Sequence, residues 1–156
     1  MKHFLTFFLL AGFLLGLSGC RLNNGEYLNG IVAQIGGSQI TDEEDLIGTR
    51  VLKDDADRYT GNYTAQCDSM TGRDVIFGGA SIHNRTLFLS GTLQRESGKA
   101  TVRIRLNEEM IELEPDDNDH FETTLKLESG GNYIMVVYED FSGKVEMTCK
   151  YMDDET

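Results

Sequence analysis

The residues of this sequence best suited to chemistry form one acidic run, residues 114–120. It holds Asp116, Asp117 and Asp119, and carboxylates beside an amide carbonyl suit a hard cation such as calcium. The spacing does not match an EF-hand loop, because His120 stands fifth in the loop that Asp116 would begin and no suitably placed glycine follows. We therefore interpret the run as a solvated hairpin turn. Asp116, Asp117 and Asp119 remain a candidate metal set, and no metal is expected there.

Catalytic motifs are absent from the sequence. It contains no His-Glu-x-x-His motif, no phosphate-binding glycine loop and no nucleophile elbow. His83 and His120 are far apart along the chain, and Ser81 lies near His83 on a predicted loop. We predict that the protein is not an enzyme and uses no cofactor. An accessory hydrolase is an alternative that would need His, Asp and Ser to converge in one pocket.

The excess of acidic over basic residues limits the kinds of partner that the protein can bind. The formal net charge is −12, with 26 acidic against 14 basic residues. Such a chain repels nucleic acid and anionic envelope polymers, so neither is expected as a partner. It attracts cationic proteins, cationic peptides or divalent ions, although the same charge also serves simply to keep a surface protein soluble.

The elements that must position these residues are strands. Apolar and polar residues alternate over residues 59–67, 102–106, 121–127 and 145–151. A period of two repeated this often indicates strands with one face in a core and the other in water. The sequence therefore predicts an all-β domain, an antiparallel β-sandwich of about seven to eight strands within residues 57–152.

Turn residues separate these segments. The signals lie at residues 96–98, 116–119, 130–131 and 142–143. Upstream, Thr41 and Glu44 have the spacing of a capping box before Leu46, which predicts a single helical turn.

Residues 86–151 resemble the immunoglobulin-like modules of bacterial surface proteins. Their pattern is matched by Ser90-Gly91-Thr92, residues 100–106, Phe121, Leu127, Gly130-Gly131-Asn132-Tyr133-Ile134 and Asp140-Phe141-Ser142-Gly143. The resemblance implies an Ig-like sandwich, with Asn132 bonded to its own backbone at a tight corner and Tyr133 as a corner tyrosine. Met135 stands where antibody domains have their second cysteine.

The N-terminus has the layout of a secretory signal. Lys2 precedes an apolar stretch over residues 4–17, which is short for a membrane-spanning helix. The stretch ends in Leu17-Ser18-Gly19-Cys20, which resembles the lipobox of bacterial lipoproteins. The resemblance implies that Cys20 is lipidated and that the signal is cut just before it. The alternatives are an ordinary secretory signal cleaved near Gly19 and an uncleaved membrane anchor.

This organisation divides the chain into four parts. Residues 1–19 are the predicted signal peptide, 20–56 a flexible tether, 57–152 the Ig-like domain and 153–156 an acidic tail. The protein is then exported and held on the cell membrane by its lipid. In a host with two membranes, Arg21 in place of an aspartate favours the outer membrane, by resemblance to other lipoproteins.

Lipidation of Cys20 leaves two cysteines, Cys67 and Cys149. Both fall on the inward face of predicted strands, the first and the last of the domain, and an exported protein meets an oxidising compartment. We predict a Cys67–Cys149 disulfide, with two free thiols in a reducing host as the alternative.

Two functions fit these observations. The first is a membrane-anchored, non-catalytic binding or structural module at the cell envelope, with a protein or envelope component as its partner. The second is an acidic inhibitor or scavenger that captures a cationic protein or peptide by charge complementarity.

Overall fold

The computed structural model describes residues 40–54 and 57–152. One turn of 3-10 helix, Glu43–Asp45, precedes six strands. The strands are β1 (Thr49–Asp54), β2 (Asp57–Ser81), β3 (Arg85–Leu106), β4 (Glu109–Leu113), β5 (His120–Leu127) and β6 (Gly130–Tyr151). All pairings are antiparallel and form one sheet in the order β1-β2-β6-β3-β4, with β5 also paired to β3. The prediction of an all-β fold is confirmed.

The three long strands each bend near the middle. The pairing register shifts between Cys67 and Gly72 of β2, and between Arg95 and Lys99 of β3. Positive backbone φ angles occur at this level, at Ser69 (+51°), Gly98 (+68°), Asp140 (+47°), Gly72 (+157°) and Gly143 (+145°). Register shifts of this kind mark β-bulges, where one strand has an extra residue opposite its partner. A bulge bends the strand and increases its twist.

The bends fold the single sheet into two layers. The first layer contains β1, β5 and residues 57–67 of β2, 85–95 of β3 and 143–151 of β6. The second contains β4 and residues 72–81 of β2, 99–106 of β3 and 130–139 of β6. Hydrogen bonds cross between the layers, from Tyr59 Oη to the Gly79 carbonyl (2.5 Å) and from Arg50 Nη1 to the Ile76 carbonyl (3.1 Å). The layers therefore face each other as in a sandwich.

The core lies between these layers and draws on both. Fully buried side chains of the first layer include Leu87, Leu89 and Val145, and those of the second include Val102 and Val136. Many neighbours along the same strands are polar, such as Arg103, Lys144 and Glu146, whereas Phe88, Met135 and Val137 are apolar neighbours of core residues. Phe141 at the bend is also fully buried and packs on Tyr138, with 5.8 Å between ring centroids.

The strand count differs from the sequence-based expectation of about seven to eight. The signals at residues 96–98 and 142–143 mark bends inside β3 and β6, so the chain continues in the same sheet instead of turning. The other two signals do mark reversals, between β4 and β5 and between β5 and β6.

The predicted tether over residues 20–56 extends too far into the domain. Strand β1 pairs with β2 from Thr49 to Asp54, and the Thr41 N–H donates to the Val75 carbonyl (2.9 Å). The sequence did not show this because residues 40–54 hold few apolar side chains. Backbone pairing holds the segment, together with three partly buried side chains that pack on the core, Leu46, Ile47 and Leu52. The 3-10 turn lies where a helical turn was predicted, but the Thr41 hydroxyl accepts from the Val75 N–H (2.8 Å) and caps no helix. Within residues 40–54 and 57–152, no helix is long and apolar enough to cross a membrane.

Candidate functional site

The outward face of the first layer carries a cavity of about 770 Å³, which we name the outer cleft. Its floor is a pair of cross-strand rows on β6, β3 and β5. In one row Thr92 pairs with Glu146 on one side and His120 on the other, and in the next Ser90 pairs with Thr148 and Glu122. Directly opposed side chains in such rows lie about 5 Å apart, so these groups form one continuous polar surface. The remaining lining residues are Gly91, Glu114, Asp116, Phe121 and Met147.

The outer cleft is acidic. Glu114, Asp116, Glu122 and Glu146 contribute carboxylates, and His120 is the one basic side chain among the described residues that line it. The Glu146 carboxylate binds the Lys144 ammonium at 2.8 Å, and both side chains are partly exposed. The Thr92 hydroxyl is buried and has no hydrogen-bond partner. The cleft therefore offers carboxylates to a cationic group.

Asp116 organises the turn at the rim of this cleft. Its Oδ1 accepts from the backbone N–H groups of Asn118 (2.8 Å) and His120 (2.9 Å). Both hydrogen bonds lower the pKa of the Asp116 carboxyl, and the one from the His120 N–H has the larger effect. Two backbone hydrogen bonds complete the turn: the Asp119 N–H donates to the Asp116 carbonyl (3.0 Å) and the Asp116 N–H donates to the His120 carbonyl (2.7 Å). Asp119 itself has a left-handed backbone (φ +63°).

The candidate metal set Asp116, Asp117 and Asp119 therefore lies on a hydrogen-bonded turn. No group of three or more His, Cys, Asp or Glu residues with metal-binding geometry occurs in the described part of the chain. Two backbone N–H groups already donate to Asp116 Oδ1, so this carboxylate serves to close the turn.

A second cavity, of about 550 Å³, lies where the end of β2 meets the start of β3; we name it the edge cavity. Three basic side chains line it, Arg58, His83 and Arg85, against one acidic side chain among its described residues, Asp42. The Arg85 guanidinium donates to the Tyr151 hydroxyl and lies 5.1 Å from the centre of that ring. The other lining residues are Ile40, Tyr59, Gly78, Gly79, Ala80, Ser81, Ile82 and Tyr133.

A buried carboxylate, Asp74, joins the two layers to the N-terminal segment. It is fully buried and accepts from the backbone N–H groups of Ile47 and Gly48 (both 3.0 Å) and from the Tyr63 hydroxyl (2.5 Å). Tyr63 and Tyr138 hydrogen-bond each other at 2.8 Å, and burial is the main cause that raises the pKa of both phenols. The phenols therefore stay protonated, and the network is a structural one. Sequence reasoning missed Asp74, because an aspartate beside an apolar run gives no sign of burial.

The two cysteines of the domain are buried thiols, which contradicts the predicted Cys67–Cys149 disulfide. Both thiols point inward, as predicted, but the register between β2 and β6 keeps them too far apart for a disulfide. Cys67 pairs with Gly143 and Cys149 with Gly61, so the cysteines are offset by six residues along adjacent strands. At about 3.3 Å per residue this is roughly 20 Å, whereas a disulfide needs its Cα atoms within about 7 Å. Burial, then the nearby Asp74 charge, raises the pKa of the Cys67 thiol, so it is a poor nucleophile.

The remaining predicted site residues separate. Cys20, the predicted lipidation site, and the signal over residues 1–19 lie outside the described residues, as does the tail over residues 153–156. His120 borders the outer cleft, whereas Ser81 and His83 line the edge cavity. Ser81 Oγ donates to the His83 carbonyl (2.7 Å), so this pair closes a loop.

Comparison with known protein families gives no match for this chain, and comparison with curated protein sequences gives none either.

Proposed function

We propose that this chain is an exported lipoprotein, anchored to the cell membrane through a lipid on Cys20, whose domain is a non-catalytic binding module at the cell envelope. The anchor is supported by Leu17-Ser18-Gly19-Cys20 at the end of an apolar segment. Because the described domain already includes Ile40, the proposed tether shortens to residues 20–39. With Arg21 after the cysteine, the outer membrane is the proposed location in a host that has two membranes.

The Ig-like assignment belongs to the same proposal. It is supported by the two facing layers and by Asn132, whose buried amide donates to the carbonyls of Glu128 (2.9 Å) and Gly130 (3.4 Å) at the predicted corner. One feature departs from the Ig pattern, in which the two sheets are separate. Here three bent strands run through both layers.

The anchor is tested by changing its cysteine. Mass spectrometry of the N-terminal peptide should show Cys20 as the first residue, with the added mass of a lipid. Cys20→Ser should abolish both the added mass and the cleavage before residue 20, so the apolar signal is retained. Ser18→Ala, which keeps a small residue in the motif, is the matched control and should leave both properties unchanged. An unchanged protein whose mature N-terminal peptide carries no lipid mass would contradict the lipid anchor.

The outer cleft is the observation that supports a binding role, and it favours the second candidate function, capture of a cationic protein or peptide. The cleft is lined by four carboxylates and, among its described residues, one basic side chain. Ammonium and guanidinium groups are the complementary ligands. The cleft is broad and lies on a sheet face. It therefore suits a side chain of a partner protein better than a small molecule, which needs a pocket that encloses it.

This second candidate is tested with a fluorescent peptide in which Lys and Ser alternate. Binding should weaken as salt is added, and Glu122→Lys should weaken it about tenfold because the reversed charge lies in the cleft. Glu109→Lys makes the same change on exposed β4, outside the cleft, and is the control. Equal effects of the two variants would assign the attraction to net charge alone and overturn the cleft as the site.

A further inference from the structure

Along the second layer, one edge of β2 has no neighbouring strand from residues 40–54 or 57–152. Strand β1 pairs only with residues 57–64 of β2, and along the rest of that edge the nearest backbone bond is the one between Thr41 and Val75. From Phe77 to Ser81, β6 pairs with β2 on one side, and no strand of residues 40–54 or 57–152 pairs on the other. Since backbone groups of an antiparallel strand alternate between its two sides, this stretch presents hydrogen-bonding groups to an incoming strand.

The accessible part of this stretch is Gly79 and Ala80, because Phe77, Gly78 and Ser81 are buried. Apart from its two chain neighbours, no described residue has an atom within 4 Å of the position that a Gly79 Cβ would occupy. The Tyr59 hydroxyl reaches the Gly79 carbonyl from the first layer and fixes the position of the edge. A second backbone can therefore approach β2 closely here.

The surroundings of the edge are basic in a protein that is otherwise strongly acidic. Arg58, His83 and Arg85 line the edge cavity with Asp42 as the counter-charge, while the whole chain has a net charge of −12. Arg85 is held in place by the Tyr151 ring and hydroxyl, which reduces the entropy lost when it binds a carboxylate. Ile82 follows the edge directly and is 83% exposed, the highest value among the exposed large apolar side chains of the described residues.

We propose that the β2 edge from Phe77 to Ser81 binds an extended acidic segment of a partner protein as an additional strand. Main-chain hydrogen bonds to β2 would supply the part of the affinity that does not depend on the partner's side chains. Arg58 and Arg85 select carboxylates on the added strand, and Ile82 packs against an apolar residue of the same strand. This surface is separate from the outer cleft and has the opposite charge, so the domain has two surfaces that suit different partners.

The test uses the full chain in detergent and a fluorescent peptide in which Glu and Val alternate. The peptide should bind, and a Lys/Val peptide of the same length should not. Methylation of alternate backbone nitrogens in the Glu/Val peptide keeps its charge but removes N–H donors, and should abolish binding. Arg58→Glu should weaken binding about tenfold, because it reverses a charge at the edge.

Two matched controls decide the outcome. Arg95→Glu makes the same charge reversal on an exposed residue at the bend of β3, outside the edge cavity, and should leave the affinity unchanged. Ile82→Ser changes an exposed side chain, so it should weaken binding without altering the unfolding temperature. Equal binding of the methylated peptide, or equal effects of Arg58→Glu and Arg95→Glu, would overturn the proposal in favour of attraction by charge alone.

Discussion

The Asp74 carboxylate is a buried acceptor that links the N-terminal segment and the two layers. It accepts from two partly buried backbone N–H groups of the N-terminal segment and from the buried Tyr63 hydroxyl of the first layer. Such an acceptor is costly to remove because its donors are then left without this partner where water has little access.

Asp74→Ala should therefore lower the free energy of unfolding by about 3 kcal/mol or more, measured by urea denaturation. Tyr63→Phe, which removes only one of the three donors, should cost less. Asp68→Ala, on an exposed residue of the same strand, is the control and should stay within about 0.5 kcal/mol of the unchanged protein. A similar loss for Asp68→Ala and Asp74→Ala would contradict the role of this network.

Asp116 gives the turn between β4 and β5 a dependence on pH. Its folded-state pKa is lowered by backbone N–H donors, below the value of about 3.9 usual for aspartate. Its contribution to stability is therefore complete above about pH 4 and disappears as the pH falls through the lower, folded-state value. Asp116→Asn keeps an acceptor oxygen but not the charge, so it should be less stable than the unchanged protein at neutral pH. The difference should shrink below about pH 4 in thermal unfolding curves, and a constant difference would contradict this assignment.

At the scale of elements, the bends are the feature that decides the architecture. Gly98 in β3 has a left-handed backbone, and a Cβ on it would lie 2.0 Å from the Asp140 carbonyl oxygen of β6. A side chain there is therefore opposed both by its own backbone conformation and by the neighbouring strand.

Gly98→Ala should lower the free energy of unfolding by about 2 kcal/mol or more. Ser97→Ala, at the adjacent exposed position, is the matched control and should have little effect. Denaturant unfolding of both variants measures the difference. A Gly98→Ala protein as stable as the Ser97→Ala protein would show that the bend tolerates a side chain.

The bends also explain what the sequence could and could not predict. Alternation identified the strands and their inward faces, because burial of one face leaves a period of two at positions such as Val102 and Val145. It did not show that Gly98 and Gly143 lie inside continuous strands, because a serine followed by a glycine occurs both in turns and in β-bulges.

The candidate site was predicted only in part, for a related reason. The acidic turn around Asp116 is a local feature and was found from the sequence. The outer cleft joins residues of three strands, and the edge cavity brings Arg58 to Arg85. Such neighbours depend on register and on the fold of one layer over the other, which spacing along the chain does not reveal.

At the scale of the whole molecule, the domain holds together without a covalent cross-link between Cys67 and Cys149. The midpoint of thermal unfolding should therefore be the same with and without reductant. Alkylation during denaturation in air should label both cysteines, as mass spectrometry of the peptides would show. A linked Cys67–Cys149 peptide from the folded protein would contradict the register of β2 and β6.

The continuous strands have a mechanical consequence. In a sandwich of two independent sheets, the layers are held by packing and can slide past each other. Here three lengths of backbone cross from layer to layer at the bends, and two short links, residues 82–84 and 128–129, cross at the opposite end. The layers are therefore tied at both ends, so neither layer can slide or swing away from the other unless strands lose their pairing. Amide exchange in the three long strands should therefore need an opening that involves both layers at once, and protection should be similar on the two sides of each bend.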